Sequence, residues 1–150
     1  MASIKRILMP TDFSETSDAA LEYAVALARA FSSSVHVLHV VRDLSEPGGG
    51  WNPPLSLLEE QKAGARETLS KLVERQPREV QVQTSLRVGS PFVEIVRCAK
   101  ELGADLIVMG THGRGPVAHM LMGSVAEKVV RKAPCPVLTV RPPAHKFVMP

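Results

Sequence analysis

Cysteine is nearly absent. The two present, Cys98 and Cys135, stand apart with no CxxC or Cys/His spacing, so neither a disulfide framework nor a zinc site is supported, and reduced thiols in a cytosolic protein are expected. Aromatic residues make up only 4% of the chain, too few for the stacking platforms of single-strand nucleic-acid binders. An excess of one charge is also missing. Eighteen Lys and Arg against 15 Asp and Glu leave a net +3 spread along the sequence, which permits an anionic ligand but not the concentrated basic patch that nucleic acid demands. No apolar run approaches the roughly 18 residues of a membrane span. Ile7-Leu8-Met9 behind Lys5-Arg6 is too short for a secretory core and reads as a strand. No fixed-period repeat and no domain linker interrupt the chain.

What is present is globular. Apolar residues make up 45% of 150, enough for one core and one domain. Ile4 to Met9, closed by Pro10, predicts a first strand. Ser14 with Glu15 and Asp18 behind it marks a helix start, and Leu21, Ala24, Ala28 and Phe31 extend the helix over 15–31. Val35 to Val41 reads as a buried strand. Residues 42–54 hold Gly48-Gly49-Gly50 and Pro53-Pro54 and read as a loop, with Trp51 within reach of the sheet end that strand 2 leaves. A long helix follows over about 55–75. Val80 to Val88 alternates with polar residues, as a strand near a sheet edge does. Gly89-Ser90-Pro91 predicts a turn, an N-cap and a first helical residue, with Gly103 ending that helix. Asp105 to Met109 reads as a strand buried on both faces. Residues 110–123 form a glycine-rich stretch, a helix runs from about Ser124 to Lys132, a fifth strand runs from Val137 to Arg141, and residues 142–150 read as a tail.

Strands alternating with helices call for an α/β fold, a single doubly wound five-stranded parallel sheet of the Rossmann-like kind. Right-handed crossovers leave 3-2-1-4-5 as the expected order. The order reverses between strands 1 and 4, so a crevice is expected beyond their carboxyl ends. Pro10-Thr11-Asp12 and Gly110-Thr111-His112-Gly113 stand at those two ends.

The second of these segments carries a pattern. Gly110 and Gly113 are followed after nine residues by Gly123-Ser124. Glycine after a buried strand turns tightly and lets a ligand reach main-chain N–H groups. A helix beginning at Gly123-Ser124 turns its unpaired N–H groups and dipole toward a phosphate. Ser124 adds a hydroxyl, and His112 and Arg114 supply positive charge. The pattern is neither a P-loop nor GxGxxG after a first strand. On spacing alone the glycines also suit a tight strand-to-helix turn, and Asp12 suits a turn or pre-helix residue. His112 has no Ser, Cys or Asp partner at suitable spacing, so a loop donor or solvated side chain is expected. His36 and His39 are expected to be satisfied histidines of a buried strand, and both cysteines inert.

Residues 105–140, Asp-Leu-Ile-Val-Met-Gly-Thr-His-Gly-Arg through Gly-Ser-Val-Ala-Glu-Lys-Val-Val-Arg-Lys-Ala-Pro-Cys-Pro-Val-Leu-Thr-Val, closely resemble the universal stress protein family. Ile7 to Ser14 resembles that family's opening strand and turn, and Leu38-His39-Val40-Val41 the end of its second strand. Gly110, Gly113, Gly123 and Ser124 fill every position of the G-x2-G-x9-G-[ST] pattern of the family's ATP-binding branch. The resemblance spans residues 3–141 and implies one nucleotide-binding domain over 1–141. It implies Pro10, Thr11 and Asp12 in the nucleotide site with Asp12 on the ribose and adenine side, Val40 offering backbone to adenine, Met109 and Gly110 along the nucleoside, and Gly113, Gly123, Ser124 and Val125 at the phosphates. ATP, with Mg2+ arriving on the phosphates, is the implied cofactor. A homodimer through strand 5 (Val137, Leu138, Val140) is the implied partner, also because a short apolar edge strand invites pairing. Gly115-Pro116 departs from the Ser or Thr followed by Gly that is frequent there, and Pro116 removes an N–H from the loop. The expected function is a small cytoplasmic ATP-binding sensor or regulator in stress response. The alternatives are a slow ATPase or adenylate-transferring enzyme, and a nucleotide-free dimeric adaptor.

Overall fold

A computed structural model describes residues 1–45, 48, 50–113 and 122–142. Strands β1 (Arg6–Pro10), β2 (Ser34–Arg42), β3 (Val82–Gly89), β4 (Leu106–Gly110) and β5 (Val137–Val140) alternate with helices α1 (Glu15–Phe31), α2 (Leu55–Glu74), α3 (Pro91–Leu102) and α4 (Ser124–Lys132). The strands form one sheet in the order β3-β2-β1-β4-β5, every pair parallel.

The two-residue period of a strand sends neighbouring side chains to opposite faces. Ile7 and Met9 of β1 and Val108 of β4 therefore meet Ala20, Leu21, Ala24, Val25 and Ala28 of α1 and Leu69 of α2. Leu8, Ile107 and Met109 meet Ile95, Cys98 and Ala99 of α3 and Ala126 and Val129 of α4. A strand covered on both sides needs an unbroken apolar run, and Ile7-Leu8-Met9 and Ile107-Val108-Met109 supply one each. At the sheet edge β3 leaves Gln83 and Thr84 exposed.

Local chemistry sets the ends. Ser14, in extended backbone, accepts the Ser17 N–H at 3.2 Å and opens α1. Pro91 opens α3 behind Ser90, whose hydroxyl makes no capping bond, and Gly103 closes it at φ 63°. β1 begins at Arg6, two residues later than its apolar run. The Asp105 carboxylate takes the Lys5 and Arg6 N–H groups at 2.8 and 2.9 Å, and these bonds hold its pKa below the usual carboxylate range. β3 starts at Val82 because the Val80 N–H turns back to the Pro77 carbonyl at 3.2 Å. Of the tail, residues 143–150 lie outside the described residues.

Candidate functional site

At the carboxyl end of β1 the chain turns sharply. Thr11 extends the pairing with β2 by donating its N–H to the Leu38 carbonyl at 2.8 Å, and its hydroxyl accepts the Phe13 N–H at 3.0 Å. Phe13 takes φ 64°, a left-handed conformation that bulky residues avoid. Asp12 Oδ1 accepts the Ser14 N–H at 3.0 Å and the Ser17 hydroxyl at 2.7 Å. Short polar side chains favour such local backbone bonds, which is why this cluster makes a turn rather than a continued strand.

Across the switch point, Thr111 extends β4 by donating its N–H to the Val140 carbonyl at 2.8 Å, and its own carbonyl accepts the Gly123 N–H at 2.7 Å. α1 passes close to Gly110: a Cβ there would stand 2.6 Å from Thr16 Cγ2. A Cβ on Gly113 would collide with Asp12 Oδ2, so the two lips of the crevice touch at that point. α4 starts with Gly123 as its N-cap, without a side-chain cap. Ser124 is thus the first helical residue rather than the cap, and it is exposed.

These elements enclose a cleft of about 420 Å³. Pro10, Thr11, Asp12, Val40, Met109, Gly110, His112, Gly113, Gly123, Ser124 and Val125 all line it. Arg114 lies outside the described residues. His112 departs from the solvated expectation: it is 8% exposed, with Nδ1 2.8 Å from the Thr111 hydroxyl. Trp51, 51% exposed, is not among the lining residues.

Sequence reasoning missed Ser17, Arg42, Pro91 and Ile95, which also line the cleft. Strand parity carried the signal for Arg42, since it shares a face with Leu38 and Val40. Helical spacing carried it for Pro91 and Ile95, one turn apart on α3. The cleft thus has an apolar wall of Val40, Pro91, Ile95 and Met109, Asp12 on one lip, the N-terminus of α4 on the other and Arg42 in its lining. An elongated ligand with one flat apolar end and one anionic end matches that distribution.

The profile of the Universal stress protein family matches residues 3–141. The chain belongs to this family. Universal stress protein MJ0531 of Methanocaldococcus jannaschii is 38% identical, over 93% of this chain and 83% of the relative. The structure of universal stress protein UspA from Lactobacillus plantarum superposes with a TM-score of 0.80 at 29% identity, covering 94% of this chain and all (100%) of that one. The universal stress protein from Archaeoglobus fulgidus in complex with dAMP matches at a TM-score of 0.64 and 29% identity, over 93% of this chain and 99% of its own. In this universal stress protein the Gly115-Pro116 departure lies outside the described residues.

Elsewhere the polar groups of this family member are engaged. His36 and His39 are half-buried rather than core residues. His36 Nε2 lies 2.8 Å from the Ser85 hydroxyl, and burial, aided by Arg87, pushes its pKa below the ordinary imidazole value. Burial pushes the thiols of Cys98 and Cys135 up, the opposite of a reactive thiolate. Among the described residues, no helix is long and apolar enough to cross a membrane.

Proposed function

We propose that the cleft binds an adenine nucleotide, ATP in the first place, and that the protein serves in the cytoplasm as a nucleotide-dependent sensor or regulator of a stress response. Residues 1–141 are the binding unit in this reading and 142–150 a tail. The observation that carries it is the convergence of the Asp12 lip, the glycine lip and the α4 N-terminus on one cleft with an apolar wall. The dAMP complex of the Archaeoglobus fulgidus relative supports the ligand class.

In this reading Val40, Pro91, Ile95 and Met109 receive the base, and Pro10, Thr11 and Asp12 face the ribose. Gly110 and Gly113 let the phosphates approach the main chain. Gly123, Ser124 and Val125 offer N–H groups, and Ser124 its hydroxyl, to the anionic end, where charge-assisted bonds are strongest. His112 and Arg114 add donors beside them. Mg2+ accompanies the phosphates and neutralises charge that neutral donors leave. Fast phosphoryl transfer also needs a positioned nucleophile, and none is assigned, so binding is the function and hydrolysis at most slow.

Native mass spectrometry of the purified chain, followed by calorimetric titration with ATP and adenosine, tests the reading. The expected result is a co-purified nucleotide and tighter binding of ATP than of adenosine. A nucleotide-free chain that gives no heat with either overturns it. The partner in the same reading is a second copy joined through β5, where Leu138 is 39% exposed. Leu138→Lys should convert dimers to monomers in analytical ultracentrifugation, and a monomeric unsubstituted protein at micromolar concentration refutes the dimer alone.

A further inference from the structure

His39 sits on the opposite face of the sheet from the cleft. β2 alternates, so Leu38, Val40 and Arg42 line the cleft while Val35 and Val37 pack into the α1 and α2 layer, and His39 has their parity. Its Nδ1 lies 2.8 Å from the Thr11 carbonyl oxygen. A carbonyl only accepts, so Nδ1 carries the proton and donates. The imidazole also stacks on Phe13, centroids 4.3 Å apart and planes 24° apart.

The consequence is a fully tied Thr11. Its N–H goes to Leu38, its hydroxyl takes the Phe13 N–H, and its carbonyl takes His39. The next residue is Asp12, and the one after it, Phe13, holds φ 64° under the histidine ring. A backbone in that region persists only where its surroundings over-determine it. Ser14 and Ser17 then fix Asp12 Oδ1, while Oδ2 lies against Gly113.

We propose that His39 is a positioning residue for Asp12, acting through Thr11 and Phe13 from behind the sheet, so that the carboxylate meets the nucleoside already oriented. Preorganisation of this kind raises affinity without a contact of its own. The inference rests on the nucleotide reading of the cleft.

The test is calorimetric titration of ATP and adenosine into the full chain with His39→Phe, His39→Asn and His39→Gln, each alone and combined with Asp12→Ala. Phenylalanine keeps a ring over Phe13 and loses the donor. Asparagine restores an N–H near the Nδ1 position, and glutamine carries its amide one carbon too far. His39→Phe and His39→Gln should weaken both ligands about tenfold, the order expected when a buried carbonyl loses its partner. His39→Asn should recover most of that loss. In the Asp12→Ala background the three exchanges should change nothing further, because a positioning residue has nothing left to position. Hydrogen exchange of the ligand-free variants should quicken at Phe13 and Ser14 and stay unchanged in α2 and β3. Should His39→Phe not fold, the Asn and Gln pair decides alone. Unchanged binding in His39→Gln, or a loss that persists in full beside Asp12→Ala, overturns the inference. An unsubstituted chain that binds neither ligand overturns the cleft reading, and this with it.

Discussion

On the β1 side of the cleft, side chains hold the backbone. Asp12, Ser14 and Ser17 exchange hydrogen bonds among themselves, the Thr11 hydroxyl takes the Phe13 N–H, and Phe13 is kept in a conformation that costs roughly 1–3 kcal/mol. On the β4 side main-chain bonds, Thr111 to Val140 and Gly123 to Thr111, stand beside one described side-chain bond, Thr111 to His112, and the recurring residue is glycine. One lip fixes the direction of a single carboxylate. The other keeps space open and leaves N–H groups to face it. In the proposed reading a ligand would meet an oriented acceptor at one end and a permissive cradle at the other, and the two should fail in different ways.

Gly113→Val should do the most damage. The cradle loses its space, and the new Cβ falls on the Asp12 carboxylate, so ATP affinity should drop by about 3 kcal/mol, the upper range of overpacking costs. Asp12→Ala should cost about 2 kcal/mol, a lost charge-assisted bond, on ATP and adenosine alike. Because the valine collides with that same carboxylate, the double variant should lose less than the sum of the two. Full additivity in titration would mean that the lips act independently. Ser124→Ala should cost about 1 kcal/mol, on ATP only. It is not the helix cap, so thermal stability should be unchanged.

The smallest effect lies away from both lips. His36 is less basic in the folded chain than its ordinary 6.5, so the unfolded chain binds more protons as pH falls below that value. Stability to urea should be unaffected above about pH 6.5 and decline modestly on acidification toward the carboxylate range, and His36→Gln should flatten that decline. A decline that survives the exchange would assign it to another group.

Much of this was legible in the sequence because several local signals agreed. Ser14 with Glu15 and Asp18 marked the start of α1, Gly103 the end of α3, a short apolar run marked β1, and a run buried on both faces marked β4. Strand order followed from alternation and handedness, and the switch point then gave Asp12 and the glycines before any family likeness. What was not legible depended on partners far along the chain. Asp105 caps Lys5 and Arg6 and so moves the start of β1. The burial of His112 depends on how the β4 turn seats it beside Thr111. The left-handed Phe13 needs His39 of β2, and no spacing rule predicts φ 64° at a phenylalanine. Arg42 was readable by parity with Val40, a signal left unused.

The Asp105 clamp joins groups 99 and 100 positions apart in sequence, beside the pairing of β1 with β4. Closing so long a loop delays contact formation in folding. The cleft lies at the other end of that same strand pair, so it is completed only when the longest closure in the sheet is made. A molecule bridging the two lips can recognise a finished chain but not a half-assembled one. In the proposed reading occupancy would act as a brake on the way out of the native state, slowing unfolding, rather than as a guide on the way in.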